Sequence, residues 1–220
     1  MNGAEVSAIL LAAGLSQRMG AVNKLHIPVD GVPLLRRSTE RLIAAGLGEV
    51  VVVLGHEAER TAALIADLPV RAVVNADYGS GQMSSVHRGL EALSRPGAGV
   101  MVCLSDQPLL ETDDIALIAR SFVTDCPRPL LVPTWNGERG NPIVMSWEQR
   151  DAILRGGRNL GCRRLIQNNP DLVWTLPMPD DHCVADLDSP DDYRRLRGKW
   201  RTPVTRREPT TPPNDMTQMH

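Results

Sequence analysis

Short apolar runs of strand length alternate with stretches of helical periodicity along most of this chain. The runs that predict strands are Val6–Leu11, Val50–Leu54, Val70–Asn75, Val100–Leu104, Leu130–Pro133, Ile143–Met145 and Val173–Leu176. The stretches that predict helices are Leu34–Ala45, Glu57–Leu68, Ser84–Leu93, Thr112–Phe122, Trp147–Leu154, Cys162–Gln167 and a last helix that begins at Ser189. Continuous Val- and Leu-rich runs are typical of strands that are buried on both faces. The β-α-β-α order therefore predicts an α/β fold, with a mainly parallel sheet between two layers of helices.

The periodic pattern stops close to residue 198 of the 220. From Lys199 onward the chain is rich in Thr, Pro and Arg and shows no apolar period. Such a composition buries too little apolar surface to offset the entropy lost on ordering. We predict one domain over residues 1–198 and a disordered tail over residues 199–220.

Composition argues against several classes of function. The formal net charge is −2 with acidic and basic residues interspersed, and only one Phe and two Tyr are present, which argues against a nucleic-acid partner. No apolar run approaches membrane-spanning length, so no membrane partner is expected. No secretory signal is visible, and the four cysteines contain no C-x-x-C pair. We expect a reduced, cytoplasmic protein.

The segment after the first predicted strand combines small residues with cations. The run Val6–Leu11 leads into the turn Ala12–Gly14, Ser16 offers a hydroxyl for a helix N-cap, and Arg18 and Lys24 follow. A small-residue turn with exposed N–H groups and two nearby cations can cradle a polyphosphate. Neither the G-x-G-x-x-G nor the G-K-[ST] phosphate-loop pattern is present. The alternative is an ordinary strand–turn–helix opening of an α/β domain.

Carboxylates occupy two positions where they could hold a metal ion. Asp106 follows the predicted strand Val100–Leu104, at the end where open α/β sheets bind ligands. Asp186 and Asp188 are two residues apart on a segment predicted to be extended, which points both to one side. Mg²⁺ prefers hard oxygen ligands and usually takes one or two carboxylates plus phosphates. The alternatives are a turn aspartate at 106 and capping of the last helix by Asp188 or Ser189.

Two polar loops are further candidates for binding. The segment Gly79–Ser85 precedes a predicted helix, and its amides and hydroxyls could bind a base and a ribose. Taken alone, these residues favour the simpler interpretation, a flexible surface loop with a serine N-cap. The segment Arg139–Pro142 is either a second binding element or a β-turn shaped by Gly140 and by Asn141 before proline.

The run LAAGLSQRMG followed by Lys24 resembles the signature of the nucleotidyltransferases that attach a nucleotide to the molybdenum cofactor. The resemblance extends from about Ser7 to Leu196 and includes SDQPLL at 105–110 and DLDSPDDY at 186–193. Within that family the chain is more similar to the cytidylyltransferases, because guanylyltransferases usually have LAGG where this chain has LAAG. The resemblance implies a three-layer, Rossmann-like nucleotidyltransferase fold.

The family's functional residues can be transferred to the matching positions. The resemblance implies nucleotide contacts at Leu11, Ala12, Ala13, Gly14, Arg18, Lys24, Gly81, Gln82, Ser84, Ser85 and Asp106. Among these residues, Arg18, Lys24 and Asp106 would be catalytic. The metal ligands would be Asp106, Asp186 and Asp188, and the acceptor side would comprise Arg139, Gly140, Asn141, Pro142 and Arg163.

The reaction implied is Mg²⁺-dependent transfer of CMP from CTP to the terminal phosphate of a molybdopterin-type acceptor, with a molybdoenzyme as a further partner. The segment Arg158–Arg163 departs from the G-D-x-G-A-R pattern of the cytidylyltransferases, because Arg158 and Asn159 replace Gly and Asp. This exchange of a negative for a positive charge affects the identity of the acceptor more than the chemistry at the nucleotide. The alternatives are a guanylyltransferase that uses GTP, a family-related oxidoreductase that uses a nicotinamide cofactor, and a non-catalytic maturation factor for a molybdoenzyme.

Overall fold

The computed structural model describes residues 5–19, 22–156, 166 and 169–200. Its strands are β1 Val6–Ala12, β2 Pro28–Val29, β3 Val32–Pro33, β4 Val50–Leu54, β5 Arg71–Val74, β6 Gly99–Leu104, β7 Leu130–Trp135, β8 Glu138–Arg139, β9 Ile143–Ser146 and β10 Val173–Pro177. Its α-helices are α1 Leu34–Ala44, α2 Ala58–Ala62, α3 Gln82–Ala92, α4 Thr112–Thr124, α5 Trp147–Leu154 and α6 Pro190–Arg197. Among these helices, none has the length and apolar character needed to cross a membrane.

The main sheet has the order β10-β7-β9-β6-β1-β4-β5, and β8 adds to β7. The pairs β1–β4, β1–β6, β4–β5 and β7–β10 are parallel. Strand β9 is antiparallel to both β6 and β7, so it reverses direction between two strands that run the same way. A mainly parallel sheet, as predicted, is therefore confirmed. The strands β2 and β3 form a separate hairpin.

Alternate residues of the central strands pack on opposite faces of the sheet. In β1, Leu10 faces a core shared with α1 and α4, whereas Ile9 faces a core shared with α3 and α5. Strand β4 divides in the same way between Val52 and Val53. Both faces of the sheet are thus covered, which confirms the three-layer architecture and explains the continuous apolar runs.

Several local predictions need correction. The predicted helix Glu57–Leu68 is interrupted, because α2 ends at Ala62 and a 3₁₀ turn continues to Ile65. Helix α4 is capped by Glu111, whose side chain and that of Asp114 form a capping box, and not by Thr112. At the last helix, by contrast, Ser189 is the cap, and it forms a capping box with Asp192.

Two predictions lie largely or wholly outside the described residues. Of the predicted helix Cys162–Gln167, only Ile166 is described. The predicted tail is described only at 199 and 200, so the domain boundary near residue 198 stays a prediction.

Truncating a central core side chain tests this packing. Leu10 lies in the middle of β1 and is 1% exposed. We expect Leu10→Ala to lower the free energy of unfolding by about 3 kcal/mol, because it removes buried apolar contacts and leaves a cavity. Urea denaturation measures the change. The control is Val74→Ala on the edge strand β5, where Val74 is 53% exposed, and it should change stability by less than about 0.5 kcal/mol. Equal changes in the free energy of unfolding for the two variants would contradict the burial of Leu10 in the core.

Candidate active site

The carboxyl ends of β1 and β6 open into a cavity of about 220 Å³. Its lining residues are Leu11, Ala13, Gly14, Ser16, Lys24, Leu25, Tyr78, Gln82, Ser85, Leu104, Ser105 and Asp106. Seven of the residues predicted to bind the nucleotide are therefore brought together: Leu11, Ala13, Gly14, Lys24, Gln82, Ser85 and Asp106. We call this space the donor cavity. Its position at the carboxyl ends of parallel strands is where open α/β sheets bind ligands.

The loop after β1 is held in shape by hydrogen bonds. Ser16 does not cap a helix as predicted, because its backbone is left-handed (φ 51°) and its hydroxyl accepts a hydrogen bond from the Lys24 N–H at 3.3 Å. Asn23 is buried, and its side-chain amide donates to Glu57 Oε2 at 3.0 Å. The Asn23 side-chain oxygen accepts from the Leu25 N–H at 3.1 Å. Asn23 was not among the predicted site residues, because an asparagine beside a predicted cation is too weak a signal to single it out.

Lys24 lies between two carboxylates. Its Nζ is 2.6 Å from Asp106 Oδ2 and 2.9 Å from Asp188 Oδ1. Arg18 contacts the other oxygen of Asp188 at 2.8 Å but is largely exposed. Burial lowers the pKa of Lys24, but Asp106 and Asp188 outweigh it and raise that pKa above its ordinary value. Lys24 is therefore a fixed cation, and we call Lys24, Asp106, Asp188 and Arg18 the ion cluster.

Asp186 has a different partner from Asp188. Its Oδ1 accepts a hydrogen bond from Gln107 Nε2 at 3.1 Å, and the same nitrogen donates to the Cys183 carbonyl at 2.9 Å. Burial raises the pKa of Asp186 to about 6, and the charge of Asp106 adds to the rise. Asp186 therefore contacts Gln107 and Asp188 contacts Lys24, and the assignment of either carboxylate as a metal ligand stays a prediction.

The carboxylates of this site have the chemistry that a divalent cation requires. Asp106 Oδ1 is buried and has no hydrogen-bond partner within the described part of the chain. Its other oxygen and Asp188 are neutralised by an ammonium group, which a divalent cation can replace as counter-ion. Hard oxygen donors and few carboxylates suit Mg²⁺ bound together with phosphates. The residues present therefore fit a divalent metal.

A second group of potential ligands lies outside the donor cavity. Ligand atoms of Asp114, Asp180 and His182 lie within 4.8 Å of one another. His182 Nδ1 is 2.8 Å from Asp114 Oδ2 and 3.1 Å from Asp180 Oδ1. The Asp114 hydrogen bond raises the pKa of His182, and the charges of Asp180 and Glu111 act in the same direction. These contacts are those of an ion pair.

Only some residues of the polar loop before α3 line the donor cavity. Ser85 lines the donor cavity and accepts a hydrogen bond from Asn75 at 3.0 Å. Ser84 does not line it, because its hydroxyl donates to the carbonyls of Asp77 and Gly81. Gly81 is the N-cap of α3 and has a φ of 116°, a backbone conformation that favours glycine. It is not part of the lining of the donor cavity.

Of the neighbouring residues Ala12 and Ala13, only Ala13 lines the donor cavity. The side chain of Ala12 is buried in the core beneath the loop, whereas Ala13 faces the donor cavity. Ala13 also lies so close to Gly55 that a Cβ at position 55 would come within 2.7 Å of its methyl group.

A second cavity of about 560 Å³ adjoins the first. Its lining residues are Leu11, Gln82, Met83, Val86, Val102, Leu104, Gly137, Glu138, Arg139, Gly140, Asn141, Ile143 and Ile166. We call it the acceptor cavity, and it shares Leu11, Gln82 and Leu104 with the donor cavity.

The predicted acceptor-side residues divide between this cavity and its surroundings. Arg139, Gly140 and Asn141 line the cavity. Pro142 is buried after a cis peptide bond and does not line it. The predicted contact Arg163 lies outside the described residues, as do Arg158 and Asn159.

Comparisons with known proteins bear on this site. The family model "MobA-like NTP transferase domain" matches residues 8–173. A nicotine blue oxidoreductase of Paenarthrobacter nicotinovorans is 30% identical over 87% of this chain and 96% of its own length. A probable molybdenum cofactor guanylyltransferase of Chloroflexus aggregans is 28% identical over 87% of this chain and 93% of its own length.

A solved structure shares the fold. A nucleotidyl transferase from Methanothermobacter thermautotroptrophicus superimposes with a TM-score of 0.76 at 21% identity, over 89% of this chain and 97% of that one. With the domain match over most of the sheet, the chain belongs to the family of MobA-like NTP transferase domains and is a nucleotidyltransferase.

Proposed function

We propose that this protein transfers a nucleotidyl group from CTP to the terminal phosphate of a molybdopterin-type acceptor, with Mg²⁺, and releases pyrophosphate. The observation that carries the proposal is the ion cluster at the donor cavity, where Lys24 Nζ contacts both Asp106 and Asp188. A fixed cation beside carboxylates, next to a small-residue loop, provides opposite charges for a metal–triphosphate complex.

The chain's own residues account for most of the chemistry. The triphosphate lies over the loop after β1, and Lys24 and Arg18 neutralise the charge that builds on the attacked phosphorus and the leaving pyrophosphate. The attacking acceptor phosphate is already ionised, so no side chain needs to act as a base. Catalysis then rests on positioning and charge stabilisation. A Mg²⁺ ion held by Asp106 with Asp186 or Asp188 would supply further charge neutralisation and orient the phosphate oxygens.

The lining of the acceptor cavity supports an acceptor with both polar and apolar groups. Leu11, Val102 and Ile143 contribute apolar side chains, and Glu138, Arg139 and Asn141 contribute polar ones. Such a mixed lining suits a heterocycle with polar edges, such as a pterin. The proposal of a molybdopterin-type acceptor also draws on the names of relatives that are probable molybdenum cofactor guanylyltransferases. A client molybdoenzyme, to which the product would be delivered, remains a proposal on the same ground.

GTP is the second candidate for the donor. The relatives named for the molybdenum cofactor are probable guanylyltransferases, which favours GTP. The methyl group of Ala13 narrows the donor cavity where guanylyltransferases usually have glycine, which favours the smaller base of CTP.

An oxidoreductase is the candidate from a different class, favoured by the relative at 30% identity. The ion cluster counts against it, because hydride transfer from a nicotinamide does not require a metal-binding carboxylate pair. A non-catalytic maturation role, the remaining alternative, would not require the complete set of charges either.

Pyrophosphate release with each of the four NTPs and Mg²⁺, with and without molybdopterin, tests the proposal. We expect release with CTP that depends on molybdopterin. Molybdopterin-dependent release with GTP but not with CTP would move the assignment to the second candidate. Oxidation of NADH or NADPH without pyrophosphate release would favour an oxidoreductase, and no activity in either assay would favour the maturation role.

Substitutions in the ion cluster should remove catalysis while leaving the fold intact. We expect Lys24→Met and Asp106→Asn each to lower turnover by ~10²–10³-fold, because each removes a preorganised charge that faces the reacting phosphates. Arg36→Met is a suitable control, since Arg36 forms an exposed ion pair with Asp67 on another surface. Turnover within a factor of two of the wild type in either cluster variant would contradict the assignment.

The contact between Lys24 and Asp106 also predicts that Asp106 and the triphosphate compete for Lys24. Without divalent metal, the triphosphate and Asp106 both attract the Lys24 ammonium group. Asp106→Asn should therefore strengthen metal-free CTP binding in equilibrium dialysis with EDTA, and Lys24→Met should abolish that gain. We expect a coupling of about 1 kcal/mol or more in this double-mutant cycle. A gain that persists with Met at position 24 would show simple charge repulsion between Asp106 and the phosphates.

The base preference can be tested at the loop after β1. We expect Ala13→Gly to shift the ratio of kcat/KM values toward GTP by roughly 10-fold, because removing one methyl group enlarges the donor cavity. Steady-state kinetics with CTP and GTP measure the ratio. Ala12→Gly removes a neighbouring methyl group that faces the core, so it should lower stability without changing the ratio. Equal ratios for wild type and Ala13→Gly would exclude Ala13 as the discriminating residue.

A further inference from the structure

His182 is one of the residues that attach the segment carrying Asp186 and Asp188 to the rest of the protein, in addition to the Leu187 N–H, which donates to the Asp106 carbonyl at 2.8 Å. This histidine begins a 3₁₀ turn, His182–Val184, between β10 and α6. Its Nδ1 is 2.8 Å from Asp114 Oδ2, at the start of α4. The side chains of His182 and Asp114 are 21% and 10% exposed, so solvent screens their interaction only partly.

Asp114 is itself held rigidly. Its Oδ2 accepts a hydrogen bond from the Glu111 N–H at 2.9 Å as part of the capping box of α4. Arg41 of α1 contacts Glu111 Oε1 at 2.6 Å. The anchor for His182 is therefore fixed by two helices. Three carboxylates (Asp114, Asp180 and Glu111) act on the imidazole, and together they favour its charged form.

The residue after His182 connects the two sides of the active site. The Cys183 carbonyl accepts hydrogen bonds from Gln107 Nε2 at 2.9 Å and from the Asn141 N–H at 2.8 Å. Gln107 holds the Asp186 carboxylate, and Asn141 lines the acceptor cavity. Gly140 packs so tightly here that a Cβ would come within 2.5 Å of the same carbonyl oxygen.

We propose that the ion pair of His182 and Asp114 positions the Cys183 carbonyl. Through its hydrogen bonds, this carbonyl fixes the positions of the Asp186 carboxylate on the metal side and of the turn at Asn141 on the acceptor side. His182 is thus a positioning residue for both the donor and the acceptor. This inference rests on the proposed function, since it assigns Asp186 to the metal side and Asn141 to the acceptor side.

Two simpler accounts make different predictions. A purely structural ion pair would change the stability of the fold, and hence the amount of active protein, without changing the affinities of the folded protein. A metal ion bound directly by Asp114, Asp180 and His182 would make His182 a ligand. Against that account, Asp114 Oδ2 already accepts hydrogen bonds from the Glu111 N–H and from His182.

The experiment compares His182→Ala, His182→Gln and Asp114→Asn in the full chain, with His87→Gln as the matched control. His87 is a half-exposed histidine that contacts Glu91 within α3. The measurements are the Kd for Mn²⁺ alone, from the electron paramagnetic resonance of free Mn²⁺, and the KM for molybdopterin. Urea denaturation of each variant gives its stability independently.

We expect His182→Ala and Asp114→Asn each to raise both the Mn²⁺ Kd and the acceptor KM by roughly 10-fold, as is typical when a group that orients a metal ligand is lost. His182→Gln retains an N–H donor and should recover part of the loss. The double variant His182→Ala/Asp114→Asn should be no worse than either single variant.

Three results would overturn or redirect the inference. Lower stability with an unchanged Mn²⁺ Kd and acceptor KM would show a purely structural ion pair. Tight Mn²⁺ binding that survives Asp106→Asn but is lost in His182→Gln would place the metal on His182 itself. If the wild type transfers no nucleotide, the proposed function fails, and the Mn²⁺ Kd of the His182 variants still decides whether His182 positions Asp186.

Discussion

The charge balance at Lys24 is the constraint on which the rest of the site depends. Its ammonium group contacts Asp106 and Asp188, which lie 82 positions apart in the chain. The Lys24 and Asp106 side chains are 14% and 19% exposed, so solvent screens their contact much less than that of an exposed ion pair. Lys24 therefore joins the loop after β1 to the carboxylates that follow β6 and precede α6. Arg18 contributes less, because an exposed ion pair is screened by water.

The topology of the sheet brings these charges together. Strands β1 and β6 are neighbours and parallel, so their carboxyl ends, and the loops that follow them, meet at one edge. Ser105 strengthens this junction, since its hydroxyl donates to the Leu11 carbonyl at 2.6 Å. The two apolar cores hold the strands in place from both faces. The positions of the strand ends then determine where the loops that carry the polar site residues lie.

The sequence was sufficient for most of the longer elements and for the location of several candidate site residues, but not for the short strands β2, β3 and β8 or for the pairing of the strands. Continuous apolar runs identified β1, β4 and β6, because strands buried on both faces need no polar positions. Nothing in the pattern predicted that β9 lies antiparallel between β6 and β7, since strand order depends on contacts between distant segments. The period of Glu57–Leu68 looked helical, yet the left-handed backbone at Glu57 and the 3₁₀ turn after Ala62 shorten α2.

The same limit applies to the side chains of the site. Asp106 could be singled out because a strand ends just before it. The spacing of Asp186 and Asp188 did not predict that Gln107 would bind one and Lys24 the other, because both partners lie far away in the sequence. The roles of these residues in binding and catalysis stay predictions, whereas their positions are given by the structure.

A shared carbonyl gives the two cavities a common support. Cys183 bonds to Gln107 on the metal side and to Asn141 on the acceptor side, so its displacement would move both groups at once. In a transfer between two phosphates, no side chain needs to accept a proton, and the rate depends on the distance and alignment of the two substrates. Under the proposed function, the Cys183 carbonyl would hold Gln107 and Asn141 in one fixed relation, and this would preserve the alignment of the two substrates.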